Sequence, residues 1–100
     1  MEMIQRGQEA AFRNKFPLAL SYYSTLIERF PNDMYHITAA EYEIAFIHYK
    51  RRDFGTARTR FEALLARYEG RDAALLPPQF KVLSEIVLQR ITEAEARRSR

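Results

Sequence analysis

Two stretches of this chain decide its fold: FPLALSYYSTLIERF at 16–30 and FGTARTRFEALLARY at 54–68. They align at a shift of thirty-eight residues, and each matched position carries the same kind of side chain in both. The matched pairs are Phe16 and Phe54, Ala19 and Ala57, Tyr23 and Phe61, Leu26 and Leu64, Ile27 and Leu65, Arg29 and Arg67, and Phe30 and Tyr68. One element earlier, Gly7 matches Ala45 at the same shift. Self-similarity of this kind is typical of stacked helical hairpins, which bury their apolar sides against one another.

The segments around these stretches have helical periodicity, and prolines and glycines separate them. Leu18, Tyr22 and Leu26 recur every four residues, whereas Pro31 and Pro77 lie in the breaks between the predicted helices. No segment alternates apolar and polar residues over a useful length, so we expect no strand. The pattern predicts five helices, over 2–14, 16–30, 34–51, 53–69 and 78–97.

The same positions resemble the tetratricopeptide repeat (TPR) family. Its pattern is matched by Gly7, Phe16, Ala19, Tyr23, Leu26 and Pro31 in one repeat and by Ala45, Phe54, Ala57, Phe61 and Leu64 in the next. Met3 and Arg6 stand where the family has an early tryptophan and leucine, and the period exceeds the usual, roughly thirty-four-residue spacing. The sequence of residues 22–31 is similar to that of repeats in bacterial envelope proteins, of the Tol–Pal accessory and outer-membrane assembly lipoprotein type. That likeness implies a cell-envelope or periplasmic location, and without it we expect a cytoplasmic one.

The resemblance implies an all-α fold, in which antiparallel helical hairpins stack as a short right-handed solenoid of about two and a half repeats. The whole chain, 1–100, would then be a single domain. Its parts would be repeat one at 2–31, repeat two at 35–69, and a C-terminal half-repeat or capping helix at 78–97. The shift of thirty-eight extends weakly to Val82, Leu83 and Ile86, and it places Val82 and Ile86 on the core side.

The composition excludes several classes of protein. The chain of 100 residues is 47% hydrophobic and 29% charged, has a net charge of +3 and contains no cysteine. Those values are typical of one folded domain without disulfides or cysteine metal sites. No apolar run approaches the roughly 18–20 residues of a membrane helix, so we expect no membrane span.

The predicted third helix suggests a binding surface, because it is apolar on two opposite sides. Tyr35, Tyr42, Phe46 and Tyr49 form a row on one side, and Ile44 lies on the other. We interpret the row as an aromatic groove that receives an apolar or amphipathic peptide or helix. Two alternatives stay open: the fifth helix folds over the row and closes the core, or a second copy covers it. The predicted groove residues are Phe12, Gln8, Tyr35, Tyr42, Phe46, Tyr49 and Lys50.

Two further surfaces are candidates for interactions. The fifth helix has an apolar stripe wider than one neighbour requires, which predicts a homodimer or docking of a further repeat. The residues of this self-association face are Phe80, Leu83, Val87, Leu88 and Ile91. The arginine-rich stretch 50–71 suggests a nucleic-acid or acidic partner, although a solvated helix face explains it better and we do not expect nucleic acid. Its arginines include Arg51, Arg52, Arg58, Arg60 and Arg67.

The chain offers no catalytic constellation, so we expect no enzyme, no cofactor and no metal. His36 and His48 are twelve residues apart, unlike the spacing of a helical metal pair. Some TPR proteins clamp a chaperone's C-terminal carboxylate with lysines, arginines and asparagines on inner positions. Here those positions hold Ile4, Gln8, Tyr42, Glu43 and Phe46, so the resemblance does not imply that ligand.

Overall fold

The computed structural model describes residues 1–99, and the fold over that range is all-α and repeat-like, as predicted. The helices are α1 (Glu2–Phe12), α2 (Phe16–Arg29), α3 (Met34–Lys50), α4 (Phe54–Arg67) and α5 (Pro78–Arg98), with a short 3₁₀ turn at Ala73–Leu75. Within residues 1–99 there is no strand. None of the helices in that range is long and apolar enough to cross a membrane.

The two hairpin turns have the same backbone conformation. Asn14 and Arg52, thirty-eight residues apart, are the only described residues with a positive φ, at 60° and 63°. In each turn the next amide, that of Lys15 or Asp53, donates to the carbonyl five residues back, at 2.8 and 2.9 Å. This is the left-handed helix end in which a residue of positive φ lets the chain reverse. The repeat therefore extends from side chains to backbone geometry.

Each hairpin closes over a fully buried aromatic ring. Tyr23 of α2 and Phe61 of α4 are both 0% exposed, and they belong to separate core clusters. α1 approaches Tyr23 closely because residue 7 has no side chain: a Cβ at Gly7 would lie 2.7 Å from Tyr23 Cζ. Ala45 is fully buried at the matching place in the second hairpin. The two pairs that the repeat matches, Gly7 with Ala45 and Tyr23 with Phe61, are therefore all buried.

The helices form two layers with α3 at the centre. α3 contacts the other four helices, α2 contacts α1 and α3, and α4 contacts α3 and α5. Helices α1, α3 and α5 thus form one layer, which we call the inner layer, and α2 and α4 form the other. The smallest extent of the molecule is 18 Å, which fits two layers of helices.

The fifth helix does not follow the shift of thirty-eight residues. The buried residues of α5 are spaced by three, four and three positions: Ser84, Val87, Ile91 and Ala94. The same spacing separates the buried residues Ile37, Ala40, Ile44 and Ile47 of α3. The connector before α5 spans 68–77, whereas the one before α3 spans only 30–33. A hydrogen bond joins the two ends of the longer connector: the Tyr68 hydroxyl donates to the Pro77 carbonyl at 2.5 Å. The prediction that Val82 and Ile86 face the core is therefore wrong, and both are exposed, at 57% and 44%.

Candidate functional site

A continuous row of five aromatic rings crosses the side of α3 that faces α4 and α5. The order is Phe80, Tyr42, Phe46, Tyr49 and Phe54, with centroid separations of 5.4, 5.9, 5.7 and 6.1 Å. Those separations are in the range at which aromatic rings attract one another. We call these five residues the aromatic row. The helical spacing of α3 supplies its three central members, and the first turns of α5 and α4 supply its ends.

Only part of the aromatic row is open to a partner. Tyr42 is 8% exposed, because Phe80 of α5 and Phe61 of α4 pack against its ring. Its prediction as an open groove residue is wrong, and the alternative in which the fifth helix covers the row holds at this position. Burial also raises the pKa of the Tyr42 phenol. Phe46 and Tyr49 stay partly exposed, so the row keeps an accessible half toward the end of α3.

The other predicted groove residues divide into two sets. Gln8 and Lys50 are exposed on α1 and α3 of the inner layer, the same layer as Phe46. Tyr35 is 53% exposed near the start of α3, where its hydroxyl accepts a hydrogen bond from Gln79 Nε2 at 3.4 Å. Phe12 is 87% exposed and makes no ring contact with the aromatic row in residues 1–99. The structure therefore places Lys50 beside Tyr49 at the open half of the row, whereas Gln8 lies next to Glu43 and Phe12 lies apart.

Sequence reasoning missed the part that Glu43 plays between the layers. The Tyr23 hydroxyl donates to Glu43 Oε2 at 3.5 Å, so this carboxyl ties α3 to α2. Burial raises the pKa of Glu43, while hydrogen bonds from Gln8 and Tyr23 and the charge of Lys50 oppose that rise. Burial and the nearby carboxyl raise the pKa of Tyr23 as well. The sequence does show that Glu43 is a charged residue at an inner position of α3. It does not show that the Glu43 side chain faces Tyr23 of α2.

The predicted self-association face of α5 lies mostly in the core. Val87 and Ile91 are 3% and 0% exposed, and Phe80 and Leu88 pack against the same cluster. Only Leu83 of that set is exposed, at 39%. The prediction of that face is wrong for Val87 and Ile91, because the long connector changes which side of α5 meets α4. The exposed apolar residues of α5 are Val82, Leu83 and Ile86.

The arginine-rich stretch does not form one surface. Arg58 pairs with Glu95 of α5, and Arg67 Nη1 lies 2.7 Å from Glu41 Oε2 of α3. The Arg51 guanidinium lies 5.9 Å from the centroid of the Phe16 ring. Arg60 is exposed on α4. These arginines are spread over contacts with three different helices.

A positively charged cleft of about 370 Å³ lies beside the open end of the aromatic row. It is formed where the C-terminal ends of α3 and α5 meet the start of α4. We call it the basic cleft; its lining residues are Tyr49, Lys50, Arg52, Phe54, Arg90, Glu93, Ala94 and Arg97. Arg90 and Arg97 could not be joined to Lys50 from the sequence, because only the position of α5 brings them together.

The two histidines are tied to helix starts. His36 Nδ1 lies 2.7 Å from Asp33 Oδ2, and His48 Nδ1 lies 3.6 Å from Asp53 Oδ2. Over residues 1–99 no group of three or more histidine, aspartate or glutamate side chains could hold a metal ion. Each histidine therefore contacts the aspartate that precedes the first residue of α3 or α4.

Comparisons with known proteins give one clear likeness. No protein-family model matches the chain, and no solved structure matches it. The chain is 33% identical, over 90 residues, to an uncharacterized protein of Treponema pallidum (strain Nichols). That match takes in 90% of this chain but 36% of the relative, so the chain spans just over a third of the length of the protein it resembles.

Proposed function

We propose that this chain is a non-enzymatic protein–protein interaction module of the TPR type. Its inner layer would bind an apolar or amphipathic peptide or helix of a partner on the open half of the aromatic row. The observation that carries the proposal is the partial exposure of Phe46 and Tyr49 in a row whose adjoining rings, Tyr42 and Phe54, are buried. An aromatic surface that is exposed but already held in place loses little side-chain freedom on binding.

The packing beneath Phe46 supports this function. Tyr42 stacks under Phe46 with the ring planes 21° apart, and Tyr42 is itself held by Phe61. A partner side chain that covers Phe46 would therefore meet a rigid ring. Aromatic residues in such settings supply much of the binding energy of protein interfaces.

Nucleic-acid binding is the weaker proposal for this surface. A nucleic-acid backbone is best matched by a continuous stripe of free cations. Arg58 and Arg67 instead pair with Glu95 and Glu41 within the fold.

A selection from a random peptide library tests the proposed function. The full chain would be immobilised, and the enriched peptides would be measured by isothermal titration calorimetry. We expect peptides rich in apolar residues, whose affinity falls about tenfold or more on Phe46→Ala, as for a central aromatic contact. Leu18→Ala is the matched control, since Leu18 is 46% exposed on α2 of the other layer.

Two results would count against the groove. One is a selection that yields no peptide with measurable affinity. The other is a set of peptides that bind Phe46→Ala and wild type equally well while Leu18→Ala weakens them. Helical circular dichroism of each variant must match that of the wild type, because Phe46 also packs against the core cluster that contains Phe61.

Self-association through α5 is a second candidate, because its side turned away from α4 is apolar. Val82, Leu83 and Ile86 lie within one helical turn of each other and are 57%, 39% and 44% exposed. Isolated exposed apolar residues are normal, but a cluster on one helix face indicates a contact surface. We therefore place the proposed homodimer on these residues and not on Val87 and Ile91.

Sedimentation velocity at micromolar concentration tests the dimer. We expect the wild type to associate and the Val82→Asp/Ile86→Asp variant to be a monomer with unchanged helicity. A wild type that stays monomeric over this concentration range would refute the proposal.

A further inference from the structure

The basic cleft gathers cations from three parts of the chain. Lys50 comes from the end of α3, Arg52 from the turn before α4, and Arg90 and Arg97 from α5. None of these four takes part in the ion pairs formed within residues 1–99. The carboxylate among the lining residues is Glu93, which accepts a hydrogen bond from Gln89 Nε2 at 3.3 Å. The lining therefore carries four positive side chains and one carboxylate, and the charge of Lys50 also acts on Glu43.

Helix dipoles explain some of these cations but not all. Lys50 and Arg97 lie in the last turns of α3 and α5, where a positive charge is favoured by the negative end of a helix. Arg90 is in the middle of α5, two turns from its end. Arg52 lies beyond the end of α3 altogether. The helix dipoles therefore do not account for Arg90 and Arg52.

Arg52 has an additional feature, because its backbone is left-handed. Its φ is 63°, a conformation that glycine and asparagine adopt more readily than arginine. The matching turn of the first hairpin has Asn14 there, with φ 60°. The Arg52 guanidinium lies 5.5 Å from the centroid of Phe54, which belongs to both the cleft and the aromatic row. A strained backbone that presents a cation to a cleft points to a role for that cation.

From these observations we infer that the basic cleft binds an acidic, carboxylate-bearing segment of a protein partner. Arginine side chains suit carboxylates because they form paired, charge-assisted hydrogen bonds. Tyr49 and Phe54 connect the cleft to the aromatic row, so one peptide with adjacent acidic and apolar parts fits both surfaces. This inference rests on the proposed function, and it specifies the chemistry of the partner.

The dimensions of the cleft favour a peptide over a nucleic acid. A volume of about 370 Å³ receives a few side chains, whereas a nucleic acid needs contacts along an extended backbone. Arg58 and Arg67, which could extend such a stripe along α4, are held by carboxylates of α5 and α3. The positive charge is thus concentrated at one end of the inner layer.

Fluorescence anisotropy with a labelled oligoglutamate peptide tests the inference on the full chain. An oligoglutamine peptide and an oligothymidylate of equal charge serve as comparison probes. We expect binding of oligoglutamate only, weakened about ten- to a hundredfold by Arg90→Gln or Arg52→Asn, as for loss of a charged hydrogen bond. Arg52→Asn should not lower the thermal midpoint, because asparagine tolerates the left-handed turn. Glu93→Gln should tighten binding severalfold, since it removes a carboxylate from the lining.

Arg29→Gln is the matched control, because Arg29 is exposed on α2 and does not line the cleft. If Arg29→Gln weakens oligoglutamate as much as Arg90→Gln does, the binding follows net charge and the inference is wrong. Tighter binding of oligothymidylate, or no binding of oligoglutamate, overturns it as well. Library-selected peptides that depend on Phe46 but not on Arg90 would refute the cleft and leave the proposed groove intact.

Discussion

Replacing Gly7 by alanine tests the close approach of α1 to the buried ring of Tyr23. In an exposed helix the change would stabilise the protein by about 1 kcal/mol, because alanine is the better helix former. Here the added Cβ would lie 2.7 Å from Tyr23 Cζ, whereas carbon atoms pack at about 3.5–4.0 Å. The ring has to move by about 1 Å, and it is 0% exposed with its hydroxyl bonded to Glu43.

Overpacking of this kind costs about 1–3 kcal/mol, which exceeds the gain in helix propensity. We therefore expect Gly7→Ala to lower the free energy of unfolding by about 1 kcal/mol, and the thermal midpoint by about 4–8 °C. Urea denaturation followed by helical circular dichroism measures this change.

Gly55→Ala is the matched control for Gly7→Ala. A Cβ at Gly55 meets nothing within 4 Å, and the residue lies in the first turn of α4. We expect this variant to be more stable by about 0.4–1 kcal/mol, so the two substitutions have opposite signs. The reasoning fails if Gly7→Ala stabilises the chain as Gly55→Ala does, since the Tyr23 ring would then have room to move.

Three further substitutions test individual groups, each by urea denaturation. Asp33→Ala should cost about 1 kcal/mol at neutral pH, because the Asp33 side chain accepts from the His36 amide at 3.2 Å and caps α3. That bond lowers the pKa of Asp33, so the wild type should lose its extra stability over Asp33→Ala as the pH falls through this lowered pKa. Extra stability that persists in strong acid would contradict the role of Asp33 as the cap of α3. Glu43→Gln should stabilise the chain at neutral pH, because burial raises the pKa of Glu43 and its charge opposes folding. Its benefit should be absent below about pH 4, near the unfolded pKa, and grow as the pH rises from there. It should be complete above the raised pKa of Glu43, and equal stability at neutral pH contradicts the prediction. Ser84→Ala should stabilise by about 1 kcal/mol, since the buried Ser84 hydroxyl has no hydrogen-bond partner in residues 1–99; a loss of stability would indicate a partner.

The repeated core could be predicted from sequence because its signals are local and occur twice. The aromatic pair Tyr23 and Phe61 and the small residues Gly7 and Ala45 mark the same places in both hairpins. Helical periodicity fixes which residues share a face, and repetition identifies the face that is buried. The helix starts at Asp33 and Asp53 also follow from local chemistry, since both side chains accept from a first-turn amide.

The left-handed turns could be located but not described from sequence. A break was expected near Asn14 and near Asp53, yet nothing indicated that Arg52 would adopt the positive φ. Arginine is uncommon in that conformation, so propensity argues against it. Only the alignment of the two turns shows that the second hairpin repeats the first with a different residue.

The position of α5 was not predictable, because it depends on a connector without a counterpart in the first repeat. A shift of thirty-eight residues assumes equal connectors, whereas 68–77 is much longer than 30–33. A change of register rotates the buried face of a helix, so Val82, which the shift of thirty-eight places on the core side, is exposed. Helical periodicity predicts where α5 lies in the chain, but the side of α5 that meets α4 depends on the tertiary structure.

The register of α5 also decides which surfaces are left for function. It places Phe80 over Tyr42 and so closes the first half of the aromatic row. At the other end it brings Arg90 and Arg97 beside Lys50, which creates the basic cleft where the row stays open. The position of α5 thus leaves a short aromatic surface that has the basic cleft at one end. A partner that fits this surface must carry its negative charge on one side of its apolar contact, and reversing that order in a peptide should abolish simultaneous binding to Phe46 and Arg90.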